Sequence, residues 1–207
     1  MNYSSNVRYL HEVFGTLPEP KVKADSIGRD PKYVASIMSR AQKATDALGI
    51  TWTPNGENVL NIIANRYFAL NDIYAERDSL KKTNKALATA QCDSRLYRSH
   101  FGFDADLGIY LSPKDIVKVK DVMTYGVVDV NFFNFIYFII HSYVHQAYDH
   151  IHLLRELAVD AESSNKKLET FNKYKGRINN YLSRRGYDIQ KEREEWEKRV
   201  KARGGTL

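Results

Sequence analysis

A chain of 207 residues with 43% hydrophobic and 27% charged residues has material for a real core under an ordinary charged surface. That balance argues against a long disordered or low-complexity tract, and the single cysteine, Cys92, excludes an internal disulfide framework. The formal charge of +6 is unevenly spread. Residues 1–90 hold 12 basic against 9 acidic groups, residues 91–160 hold 6 against 9, and residues 161–207 hold 13 against 7. Basic ends around an acidic middle permit phosphate binding, although solvated helix faces have the same appearance. With the polar opening MNYSSNVRYL, the lone cysteine favours the cytoplasm, or a particle assembled there.

The first predicted helix is well punctuated. Asp30-Pro31 supplies a cap and a proline at the first helical position, and Gly49 supplies a stop. Between them Val34, Ile37, Met38, Ala41, Thr45 and Leu48 form one apolar stripe. A second start at Thr53-Pro54 opens a helix expected to run to about Ala88, with Val59, Ile62, Ile63, Tyr67, Leu70, Tyr74, Leu80 and Leu87 at helical or heptad-like spacing. Residues 91–111 break the pattern with Gly102, Asp104, Asp106 and Gly108, and Gly108–Leu111 has room for one short strand.

Ser112-Pro113-Lys114-Asp115 then reads as a capping box for a helix to about Thr124, ended by Gly126. From Asp129 or Asn131 a long central helix is expected to about Ala161, apolar all round in its first turns. Val127 to Val144 is the nearest approach to a membrane span. Its uninterrupted apolar run is only Phe135 to Ile140, against the roughly 20 residues a span needs, so a buried helix is expected and no membrane. A stripe from Leu168 to Tyr181 stops near Gly186, and Asp188 caps a charged last helix anchored by Ile189, Trp196 and Val200.

The expected fold is therefore predominantly all-α. It is a bundle with two long helices, an irregular middle segment and a charged C-terminal helix. Its regions are residues 1–50, 51–186 and 187–207.

Three constellations carry chemistry. Val22 to Ala44 has spacings that resemble a helix-turn-helix, with Ala24 and Ile27-Gly28 in the first helix and turn. The outward face of the second helix then presents Lys32, Ser36, Ser39, Arg40 and Lys43 to DNA. Near the C-terminal end Lys173, Lys175, Arg184 and Arg185, interleaved with Phe171, Tyr174 and Tyr181, form a second nucleic-acid candidate. The plainer reading is one helix with a buried aromatic stripe and a wet basic side. Finally His141, His145, Asp149 and His152 share a helix side at metal-ligand spacing. A di-metal bundle needs a second acidic-x-x-His motif, which is absent from the chain, so a polar stripe without metal is expected.

No phosphate-binding loop, dinucleotide fingerprint, zinc-protease motif or nucleophile elbow occurs, so no enzyme and no cofactor are expected. Two functions follow. The first is a DNA-binding regulator or replication or packaging accessory. The alternative is a helical assembly, scaffold or adaptor subunit, of a virus particle for example, acting through protein contacts. A protein partner or homo-oligomer suits both.

Overall fold

The computed structural model describes residues 21–128 and 144–204, the stretch 144–150 by its backbone. Every regular element among these residues is an α-helix. The order is α1 (Pro31–Leu48), α2 (Pro54–Leu80), α3 (Lys85–Gly108), α4 (Pro113–Met123), α5 (Val144–Val159), α6 (Ser164–Arg184) and α7 (Ile189–Ala202). The chain divides into two compact units, residues 1–119 and 120–207.

In the N-terminal unit α1 begins and ends where its capping residues dictate. The Asp30 carboxylate accepts from the Tyr33 N–H at 2.8 Å, Pro31 leads the helix, and Gly49 closes it at φ 72°. Ile37, Ala41, Ala44 and Thr45 are buried against α2. The Thr53 hydroxyl accepts from the Gly56 N–H at 2.9 Å and opens α2. Gly56 sits so close to the preceding loop that a Cβ would lie 1.8 Å from the Ile50 carbonyl oxygen. Both α1 and α3 pack on α2, whose buried residues include Val59, Ile62, Ile63, Phe68, Leu70 and Ile73. Each fully buried large side chain contributes about 1.5–3 kcal/mol.

Two expected boundaries are corrected here. Helix α2 stops at Leu80 rather than near Ala88. A turn intervenes, and the Asn84 side chain caps α3 by accepting from the Leu87 N–H at 3.0 Å. The segment expected to be irregular is helical to Gly108, and no strand occurs among the described residues. Gly102 and Gly108 cost helix propensity, but burial of Ala88, Cys92, Phe103 and Leu107 outweighs it.

The helix-turn-helix expectation is also corrected. Residues 21–30 hold no helix, and Ile27, placed by that reading in the first helix and its turn, is 95% exposed. These residues form an irregular strap, ending in a turn at Ile27-Gly28, that is held along α2 by side chains at helical spacing. Asn58 Oδ1 accepts from the Val22 N–H at 2.8 Å, and Asn61 Nδ2 donates to the Val22 carbonyl at 2.8 Å. Asn65 accepts from the Asp25 N–H at 2.7 Å and donates to the Lys23 carbonyl at 2.9 Å. The asparagines thus do for the strap what a neighbouring strand does in a sheet.

About two turns further along α2, Arg29 clamps the strap's end. Its Nη1 and Nη2 donate to the two Asp72 oxygens at 2.9 and 2.7 Å, and its guanidinium lies 4.7 Å from the centre of the Phe68 ring. The bidentate hydrogen bonds hold the Asp72 carboxyl below the usual carboxylate range.

In the C-terminal unit α5 packs on α6, and α6 on α7. Val127, Val128, Ile151, Leu154, Tyr174, Ile178 and Leu182 form its core. Leu168, expected in the α6 stripe, is exposed, while Leu182 is buried in its place. Beside this core lies an ion network. Lys120 Nζ donates to Glu156 Oε2 at 2.6 Å, and Arg155 Nη2 donates to Glu156 Oε1 at 2.9 Å. Arg155 Nη1 also lies 3.3 Å from Asp121 Oδ1. Both cations are buried, so the carboxylates compensate charge where water does not. The expected central helix is seen as α5, and its predicted first turns, 129–143, lie outside the described residues. Among the described residues no helix is long and apolar enough to cross a membrane.

Candidate functional site

The residues proposed for nucleic acid are placed in two different ways. Lys32, Ser36, Ser39, Arg40 and Lys43 are all exposed, and their spacing sets them within a roughly 100° arc of α1. This basic face therefore exists without the helix-turn-helix around it. Lys173, Lys175, Arg184 and Arg185 are exposed too, but Lys173 and Lys175 point roughly 200° apart and do not form one track. The interleaved aromatics belong to the core: Tyr174 is buried, and Phe171 and Tyr181 pack against the same cluster. Of the histidine stripe, His141 lies outside the described residues, and His145 and Asp149 are described by backbone alone. His152 is half-buried on α5.

Helix α3 holds a surface that sequence patterning did not single out. Its inner side carries Ala88, Cys92, Phe103 and Leu107, all buried. Its outer side carries Leu87, Ala90, Ser94, Tyr97, Phe101 and Ala105, all exposed and confined by their spacing to a roughly 80° arc. Tyr97 is 68% exposed and Phe101 55%, and their rings meet edge to face with centroids 4.8 Å apart. The stripe is flanked by Asp93 on one edge and by Arg98 on the other, both exposed. A spacing of three and four between 87, 90, 94, 97 and 101 is visible in the sequence. The glycines and aspartates at 102–108 mask it, because they mark the segment as a break.

A different side of α3 faces an open cavity of about 530 Å³ lined by Ile62, Arg66, Ser99, Phe103 and Tyr110 among others. There the buried Arg66 donates from Nη1 to Ser99 Oγ.

Residues 34–202 match a family described as "Protein of unknown function (DUF3826)". The chain belongs to this family. The match begins within α1 and ends at the last residue of α7, so the DUF3826 region contains the whole α3 stripe and all three strap-holding asparagines. The strap itself, ahead of residue 31, lies outside the matched region. No curated protein matches the chain.

Proposed function

We propose that this DUF3826 protein is a non-enzymatic helical assembly or adaptor subunit, working in a reducing cytoplasmic setting through protein contacts on the outer face of α3. The observation that carries the reading is the Tyr97–Phe101 pair, packed edge to face and open to solvent. Single exposed apolar residues are ordinary, whereas two adjacent aromatics continued by Leu87 and Ala90 along one helix line make a patch. Tyrosine and phenylalanine are also among the residues enriched at interface cores.

A photo-crosslinking amino acid at position 101 tests this in living cells, with exposed Asn172 of α6 as the control position. A discrete adduct from 101 and none from 172 is expected. Equal, diffuse labelling from both positions sinks the reading.

A second reading rests on the α1 face. Its five exposed polar and basic groups suit a phosphate backbone, which supports a DNA-binding regulator or accessory. On this reading, Arg40→Ala with Lys43→Ala lowers the slope of log affinity against log salt by about 0.9 for each phosphate that is no longer neutralised. Fluorescence anisotropy on duplex DNA measures it. An unchanged slope removes the α1 face from any DNA contact.

A further inference from the structure

We infer that the partner of the α3 stripe is a second copy of this chain, paired with α3 parallel and in register. This rests on the protein-contact reading above and names its occupant. Leu87, Ser94 and Phe101 fall at one set of seven-residue intervals, and Ala90 and Tyr97 at a second set three residues on. These are the a and d positions of a short parallel coiled coil. In that pairing Phe101 meets Phe101 and Tyr97 meets Tyr97, while the small Ala90 and Ser94 let the helices approach closely.

The charges select both the occupant and its direction. Asp93 falls at the g position, and Arg98 falls at the e position of the following heptad. A parallel copy sets each Asp93 beside the other copy's Arg98, twice per pair. An antiparallel copy sets each edge against its own kind, with the Asp93 edges together and the Arg98 edges together. Neither residue is committed to an ion pair within the described chain that this would break. Arg98 makes only a long 3.4 Å hydrogen bond, from Nε to the Ser94 carbonyl oxygen of its own helix.

Analytical ultracentrifugation of the full chain over a concentration series tests the pairing. The wild-type chain is expected to show a reversible monomer–dimer equilibrium, and Tyr97→Ala with Phe101→Ala to weaken it at least about hundredfold. Asp93→Lys and Arg98→Glu are each expected to weaken it about tenfold. The equimolar mixture of these two charge variants should recover wild-type affinity, because both interchain pairs are then again of opposite sign. Since all four side chains are exposed, unchanged circular dichroism and melting of each variant separates a pairing defect from a folding defect.

A wild-type chain that stays monomeric, or a mixture that does not recover, overturns the second-copy assignment. If position 101 then crosslinks to a different protein, the adaptor reading stands without self-pairing. If it crosslinks to nothing, both fall.

Discussion

Phe68→Ala is expected to destabilise the N-terminal unit by about 3–5 kcal/mol, the range for removing a fully buried aromatic side chain. Phe68 is completely buried on α2, with the Tyr33 ring of α1 at 5.8 Å and the Arg29 guanidinium at 4.7 Å. The truncation therefore opens a cavity where α1, α2 and the strap converge, and it takes away the surface on which Arg29 lies. Phe68→Leu keeps most of the volume and should cost less than half as much. Denaturant unfolding followed by circular dichroism measures both variants. A loss below about 1 kcal/mol for the alanine variant would show that the strap and α1 do not depend on this ring.

The second large effect is expected at Glu156. Glu156→Ala removes the carboxylate whose two oxygens receive Lys120 at 2.6 Å and Arg155 at 2.9 Å, with both cations buried. Breaking a buried ion network from one side costs about 3–5 kcal/mol, because the remaining cations stay out of water without the carboxylate they shared. Asp121, 3.3 Å from Arg155, retains part of that compensation and places the expected loss at the lower end. Replacing Lys120, Arg155 and Glu156 together by apolar residues of similar size should be milder, since both buried cations leave with their shared carboxylate and the Asp121 carboxylate that remains is 23% exposed. Equilibrium unfolding of the single and triple variants decides between the accounts. Equal losses would mean that the side chains matter there for packing volume rather than for charge.

Legibility in the sequence followed the range of the forces involved. The caps at Asp30, Thr53 and Asp188 and the stop at Gly49 were readable because each acts over three or four residues of its own chain. The all-α class was readable for the same reason, as apolar periodicity is a local record of which side each helix buries. Asn84 escaped notice as a cap because the heptad-like run from Val59 to Leu87 continues across it, and periodicity alone does not register a turn that keeps phase. The α1 basic face was correctly gathered onto one side of a helix, yet the motif framed around it was not there. A helix-turn-helix pattern specifies spacing, and the strap from Lys21 to Asp30 has that spacing without the conformation.

Local sequence therefore dictates most of the helices other than α3, most of their ends, and the basic side of α1. Packing between distant segments decides the rest. The strap is held without a helix because Asn58, Asn61 and Asn65, between 36 and 42 residues away, offer its backbone hydrogen bonds that a helix would have made internally. Residues 91–108 are helical because α2 rewards the burial of Phe103 and Leu107 by more than the two glycines cost. Tyr97 and Phe101 are surface residues for the complementary reason: packing on α2 already uses the other side of α3, and a helix has only one side to bury against each neighbour.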